Sequence, residues 1–386
     1  MPENYSLKQI VQLFIEKSKE AKRELGQFNI LIIGKAGVGK STLINNVFKF
    51  DKEEEKAMTG AGFPVTNNIK QYTIEGCPLT IYDTPGIELD VRISNEIKTN
   101  VTNLITDKRS RDIKEHIHII WYCVNETSCR FEESENRWIQ DLISKDEVPV
   151  IIVLTQTNDP KISKMLPFLQ GLNLPVNAII PIMAQDQLIT TTLSIPAYGL
   201  ENLVEETAKL IPVQAERAFI HQQVASINLQ AIQADKYLIA YVMGGAIIGA
   251  TEAVLVNIGA LLGLQVTMLA QISVIFAIDF DEKFLSILIT SIAGSKGTEE
   301  IGKIFIQELL KLMGVSAITA PITATITATM TLSLGRAYIE GIKWYRLALA
   351  KEENITPEQL ATMREQLVTK VKEIYKKLVR ISKDNN

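Results

Sequence analysis

The sequence predicts an α/β domain built on a mostly parallel sheet, plus an all-α C-terminal domain that packs with an amphipathic N-terminal helix. Three observations carry this. Apolar runs of strand length alternate with polar, helix-period stretches as far as Pro212. A glycine-rich turn follows the first run directly. Beyond Pro212, long helix-compatible stretches take over. Short, wholly apolar runs separated by helical lengths are the pattern of a parallel sheet covered on both faces. The expected organisation is an N-terminal helix over 1–26, the α/β domain over 27–212 and a helical domain over 213–386 with two long hydrophobic segments.

Taken in order, Leu7, Ile10, Val11, Phe14 and Ile15 recur at helical spacing among Lys and Glu, which makes an amphipathic helix. Strands are expected at 28–33, 79–82, 118–124, 150–154 and 178–182. In the second half, residues 253–278 and 312–335 carry no charge, and each exceeds the roughly 20 residues needed to cross a bilayer. Membrane insertion, reversible membrane association and burial within protein are the three readings of these segments. Asn257, Gln265 and Gln271 in the first, and six threonines from Thr319 to Thr331 in the second, are polar content that burial in protein also accommodates. Residues 298–311 form an ordinary amphipathic helix, with Glu299 and Glu300 in its first turn and Lys311 at its end. From Thr356-Pro357-Glu358 a capped helix starts; its basic face either meets anionic lipid or is solvated while the apolar face packs.

Composition excludes several classes. Of 386 residues, 46% are hydrophobic, too many for a disordered chain. Lys+Arg 40 against Asp+Glu 44 argues against bulk nucleic-acid binding. Cys77, Cys123 and Cys129 cannot build a disulfide framework, and neither they nor His116, His118 and His221 have metal-ligand spacing. The start, Met1-Pro2-Glu3-Asn4, does not resemble a secretory leader, so a cytoplasmic location, with membrane association as a variant, is expected.

Gly34, Lys35, Ala36, Gly37, Val38, Gly39, Lys40, Ser41 and Thr42 follow the first strand and open a helical pattern. They fit the phosphate-loop pattern G-x-x-x-x-G-K-S/T in its required context. Glycines let backbone N–H groups converge on an anion, Lys40 supplies a point charge to the outer phosphates, and Ser41 offers a hydroxyl to Mg2+. Asp83, in Ile81-Tyr82-Asp83-Thr84-Pro85-Gly86 at the end of another strand, would hold Mg2+ through water. The Gly86 N–H can approach a γ-phosphate. Thr66 is placed to complete the Mg2+ shell when a γ-phosphate is present. Lys40, Thr66 and Gly86 are the candidates for the hydrolytic step, and Ser41, Thr66 and Asp83 for the metal.

These motifs resemble a GTPase domain of the translation-factor-related class, the group of Era-like, dynamin-like and immunity-related GTPases. Residues 130–135 after Ile120-Trp121-Tyr122-Cys123-Val124 resemble members with membrane-associated helical partners. The resemblance implies GTP/GDP and Mg2+ as ligands and nucleotide at the C-terminal ends of the strands. It also implies a base-reading Asn/Thr-Lys-x-Asp element, for which this chain has Thr155-Gln156-Thr157-Asn158-Asp159. In the direct register Gln156 and Asn158 replace Lys and Asp; a shift of one residue puts Asp159 in the reading position. Asn offers one acceptor where guanine needs two, and in either register strict guanine specificity is not expected. Met183-Ala184-Gln185 resembles the family's Ser-Ala-Lys loop, with the Ala184 N–H toward guanine O6.

The family's water-orienting glutamine position, after Gly86, is Ile87 here. Slow basal hydrolysis stimulated by self-association is therefore expected, with a homodimer or oligomer through the nucleotide face. Glu88, or one of Arg92, Lys98, Arg109, Arg111 and Arg130 acting in trans, are further candidates. In the helical half, residues 264–269, 294–300 and 334–338 resemble an uncharacterised helical domain fused to such GTPases, although 250–253 lack its Pro- and Asp-containing stretch. Two functions follow: a GTP switch controlling self-association and a hydrophobic, membrane-associated helical domain, or a nucleotide-dependent scaffold with negligible hydrolysis or relaxed base specificity.

Overall fold

A computed structural model describes residues 6–50, 69–73, 78–86, 91–128, 131–188, 194–250, 254–293, 301–312, 323–350 and 356–384. It divides into two compact units, Leu25–Ser226 and Met1–Glu24 with Ile227–Asn386.

The first unit holds a six-stranded sheet. Its strands are β1 (Phe28–Gly34), β2 (Lys70–Thr73), β3 (Leu79–Asp83), β4 (Ile119–Asn125), β5 (Val150–Thr155) and β6 (Ala178–Pro181), in the order β2-β3-β1-β4-β5-β6. All pairings are parallel except β2 with β3. The mostly parallel α/β sheet and the largely helical C-terminal region are those the sequence predicts. Every residue of β1, β3 and β5 is buried, because helices cover both faces. β2 was not legible: Lys70, Gln71, Tyr72 and Thr73 are mostly exposed, and polar residues suit an edge strand. β1 has β3 on one side and β4 on the other, so the strand order reverses there. A crevice opens at the carboxyl ends of strands at such a switch point.

The helices of this unit are α2 (Lys40–Val47), α3 (Val91–Arg109), α4 (Glu133–Asp146), α5 (Met165–Gly171), α6 (Leu200–Leu210) and α7 (Val213–Gln222). On one face of the sheet Phe28, Phe48, Trp121 and Phe219 form an aromatic cluster. Phe28 and Phe219 have ring centroids 4.8 Å apart, and Phe48 stacks on Trp121 at 5.8 Å. The Trp121 indole N–H donates to the Thr207 hydroxyl at 3.0 Å. Phe219 comes from α7, and the segment after α7 pairs with the end of α2: Lys49 N–H donates to Gln222 O at 3.0 Å and Val224 N–H to Val47 O at 2.8 Å. These contacts keep α7 with the sheet, so the change of pattern at Pro212 comes one helix before the packing division at Ser226.

His118 precedes β4 and is buried against Phe28, with ring centroids 6.1 Å apart. Its Nδ1 accepts the Asn29 N–H at 3.0 Å. Burial pushes its pKa down to about 4. The unfolded imidazole, near 6.5, binds more protons than the folded one between those values. The contribution to stability is therefore complete above pH 6.5 and lost as pH falls to about 4, amounting to about 3 kcal/mol. Asp83, whose carboxyl is raised, acts in the opposite sense over much of that range. The comparison is thus with His118→Gln. Its melting temperature should fall less steeply than the unmodified chain's between pH 6.5 and 4.5; parallel curves would refute the assignment.

The second unit is helical. Helix α1 (Leu7–Arg23) begins with a capping box, in which the Ser6 N–H donates to Gln9 Oε1 at 2.8 Å and the Gln9 N–H to Ser6 Oγ at 3.4 Å. It buries Ile10, Val11 and Phe14 and packs on α9 (Val254–Ile275). The others are α8 (Ile227–Gly249), α10 (Glu282–Ala293), α11 (Ile301–Leu312), α12 (Ala324–Leu349) and α13 (Pro357–Asp384). α12 packs between α8 and α13. The apolar side of α13, with Leu367, Val368, Val371 and Tyr375, is buried, while Lys370, Lys376, Lys377 and Arg380 remain exposed.

Of the three readings of the charge-free segments, burial in protein has direct structural support. Among the described residues no helix is long and apolar enough to cross a membrane. The charge-free run 312–335 is not one helix: α12 starts only after its cap, Thr323, and continues through Arg336, Glu340, Lys343 and Arg346. α9 is a single helix, but Leu261, Leu262, Gln265, Val266 and Met268 are buried. Several polar residues of these runs bond to neighbouring helices. Gln265 Nε2 donates to Thr331 Oγ1 at 2.9 Å, Thr327 Oγ1 donates to Gly245 O at 2.6 Å, and the Ser273 and Tyr338 hydroxyls lie 2.8 Å apart. Hydrogen bonds between helices of this kind fit a protein interior, although Gln265 Oε1 has no partner among the described residues.

Candidate functional site

The phosphate loop joins β1 to α2. Gly39 caps α2 with φ of 93°, a left-handed conformation that a side chain would strain. This turns the chain so that α2 begins at Lys40, with Ser41 and Thr42 in its first turn. Lys40 is buried, and its Nζ donates to Gly34 O at 2.9 Å and Lys35 O at 3.2 Å, which lays the ammonium across the loop. Val38 is buried beneath the loop, while Ala36 and Gly37 are exposed at its crest.

Lys35 points elsewhere. Its Nζ lies 2.8 Å from Glu135 and 3.0 Å from Glu132, at the start of α4. Burial opposes its charge, but the hydrogen bonds and attraction of Glu135 and Glu132 outweigh that and raise its pKa. Glu135 is itself buried and accepts the Tyr122 hydroxyl at 3.2 Å. Sequence reasoning passed over this tether; Glu132 and Glu135 at capping-box spacing were its signal.

Asp83 ends β3, beside β1. It is buried, and one of its carboxylate oxygens has no hydrogen-bond partner among the described residues; the same holds for the Thr84 hydroxyl. Burial raises the Asp83 carboxyl to about 6, against the pull of Lys40 and Lys70. An orphaned, buried carboxylate oxygen beside the phosphate loop is what a hard divalent cation and its water would satisfy. The Ser41 and Asp83 donor set therefore fits magnesium. Gly86, three residues on, lies so close to the loop that a Cβ there would stand 2.4 Å from the Ala36 N and Cα. No residue but glycine meets the loop at that distance.

The end of β5 clamps the loop from the other side. The Thr155 hydroxyl reaches Val38 O at 2.6 Å and Val124 O at 3.0 Å. Gln156 adopts φ of 56° and its Nε2 donates to Gly37 O at 3.3 Å. Met183 and Ala184 follow β6, where Met183 bridges to Tyr198. A cleft of about 200 Å³ lies between Gly39 and Thr42 of the loop side, Thr155 and Gln156, and Met183, Ala184, Gln185 and Gln187. Gln187 belongs to a short hairpin, β7 (Gln187–Leu188) with β8 (Ser194–Ile195), that the sequence reading did not foresee.

The structure thus gathers Gly34 through Thr42, Asp83, Gly86, Thr155, Gln156 and Ala184 around one end of the sheet. Asn158 is exposed and does not line the cleft. Thr66, Ile87, Glu88 and Arg130 lie outside the described residues. Arg111 is ion-paired with Asp107 at 2.8 Å and Glu115 at 3.2 Å. Lys98 sits 5.5 Å from the Trp138 ring centroid. Cys123 is buried in β4, where burial pushes its thiol up to about 12. Among the described residues no cluster of His, Cys, Asp and Glu has the makings of a separate metal site.

Residues 29–156 match the family described as 50S ribosome-binding GTPase. This part of the chain is a P-loop GTPase domain. The domain is similar over 60 residues, at 42% identity, to translocase of chloroplast 108 of Physcomitrium patens, covering 15% of this chain and 6% of that protein. It is similar over 206 residues, at 27% identity, to the tRNA modification GTPase MnmE of Ligilactobacillus salivarius, covering 53% of this chain and 38% of that enzyme. The matches thus span well under two thirds of these relatives. Among solved structures, one of the chloroplast translocon components atToc33 and psToc159, for which dimerization is important for GTPase activity, aligns at 15% identity with a TM-score of 0.33, covering 52% of this chain and 89% of that one.

Proposed function

We propose that this chain is a GTP-binding and GTP-hydrolysing switch whose nucleotide state controls self-association and its hydrophobic helical unit. The observation that carries this reading is the convergence of three groups on the phosphate loop: the Lys40 ammonium, the half-orphaned Asp83 carboxylate and the Gly86 backbone. Backbone N–H groups of the loop and the start of α2 would cradle the phosphates, and Lys40 would neutralise their outer oxygens. Ser41 and Asp83, with Thr66, would hold magnesium, which draws charge from the β- and γ-phosphates. Gly86 would present its N–H to a γ-phosphate. Thr66 and the Gly86 turn would be ordered by that phosphate and released when it leaves. By motif the domain resembles the Era-like, dynamin-like and immunity-related group, and the helical unit resembles a domain fused to such GTPases; both attributions are part of the proposal.

Ile87 cannot orient water, so the group that does so comes from elsewhere, and a second copy across the nucleotide face is the source we infer. GTP turnover per molecule should therefore be slow in dilute solution and rise about tenfold or more as protein concentration crosses the dimer dissociation constant. Fast turnover that does not depend on concentration would sink the self-association reading. Ile87 also motivates the other reading, a nucleotide-dependent scaffold. Its mark would be nucleotide binding with no single-turnover hydrolysis at any protein concentration.

A further inference from the structure

Among the described residues, no charged side chain lines the cleft beside the phosphate loop. Guanine presents two donors, N1–H and the 2-amino group, on its pairing edge. A carboxylate accepts both, whereas an amide has one acceptor and one donor group. Of the two residues that could supply the family's carboxylate position, Asn158 is exposed and outside the cleft. Asp159 does not line it either, and Asp159 Oδ1 accepts the Lys161 N–H at 2.9 Å within its own turn. The polar side chains that do line the cleft beyond the loop and Thr155 are three amides, Gln156, Gln185 and Gln187. Gln156 uses its amide N–H on Gly37 O. Gln187 stands on β7 and Gln185 in the bend just before it, both exposed to solvent at the cleft.

Building on the nucleotide reading above, we propose that Gln185 and Gln187 are the base-contacting residues, and that the site takes purine nucleoside triphosphates as a class with little regard for the 2-amino group. An amide that turns over exchanges donor for acceptor, so it meets the 6-oxo group of guanine and hypoxanthine or the 6-amino group of adenine. No buried carboxylate is left unpaired by a base lacking the 2-amino group. That unpaired partner is what makes a polar site reject an analogue strongly.

The test uses the full chain with magnesium and a fluorescent GTP analogue, displaced in turn by GTP, ITP, ATP, XTP and inorganic triphosphate. GTP and ITP should compete within about threefold of each other and ATP within about tenfold. The double variant Gln185→Ala/Gln187→Ala should weaken GTP and ATP alike by about tenfold while inorganic triphosphate competes as before. Both positions are exposed, and an unchanged melting curve confirms that the variant folds. A preference for GTP over ITP beyond about a hundredfold, converted to an XTP preference by Asp159→Asn, would overturn the proposal and assign the reading to Asp159. If no triphosphate binds the unmodified chain, inorganic triphosphate included, the nucleotide reading itself fails and takes this proposal with it.

Discussion

Lys40→Ala should reduce triphosphate affinity by at least about a hundredfold, equivalent to roughly 2.7 kcal/mol. The Lys40 ammonium is the one cation the loop sequence supplies at its helix start, and the fold holds it across the loop through Gly34 O and Lys35 O. Lys35, the other lysine of the loop, is occupied by Glu132 and Glu135 and offers no substitute. The loss should therefore not be rescued at moderate magnesium concentrations. Calorimetry with a non-hydrolysable GTP analogue measures it directly, and a thermal melt run alongside shows whether the domain stays folded. Affinity within tenfold of the unmodified chain would mean that this loop does not carry phosphate.

Gly86→Ala should separate binding from turnover. The new methyl would sit 2.4 Å from backbone atoms of Ala36, far inside van der Waals contact, and backbone cannot rotate away as a side chain can. The Asp83–Gly86 turn must then withdraw from the loop. A diphosphate makes no demand on that turn, so GDP affinity should change less than about threefold. Single-turnover hydrolysis should fall about a hundredfold, because the N–H proposed to meet the γ-phosphate is displaced. Equal losses of GDP affinity and hydrolysis would show that the substitution damages the loop as a whole, and undiminished hydrolysis would remove Gly86 from the site.

Much of this site was legible because phosphate binding is written into contiguous residues. Gly34 to Thr42 make a turn and a helix start by local geometry, and a strand before them suffices to place them. The Asp83 turn was readable for the same reason. The base-reading side was not. Asn158 and Asp159 are neighbours in sequence, and the cleft excludes both: Asn158 is exposed and Asp159 is engaged in its own turn. Gln187 enters the site through a two-residue strand too short to leave a periodic signal. Lys35 belongs to the phosphate loop by sequence, but where its side chain goes was not readable there. The arrival of α4, distant in sequence, pairs its ammonium with Glu132 and Glu135.

The sequence by itself determined the parallel strands, the phosphate loop with its magnesium-type partners, and the helical character of the second half. Each of these follows from residue spacing within one element, where apolar period and turn chemistry act locally. Tertiary structure decided what covers those elements. It set β2 antiparallel at the sheet edge and kept α7 with the sheet through Phe219. It also placed Gln265, Thr327 and Thr331 of the charge-free runs in contacts between helices. Hydropathy records that a face avoids water; it does not record whether protein or lipid meets that face. In this chain neighbouring helices bury much of the described α9 and α12 surface, and of the polar residues in the charge-free runs Gln265, Thr327 and Thr331 bond between helices.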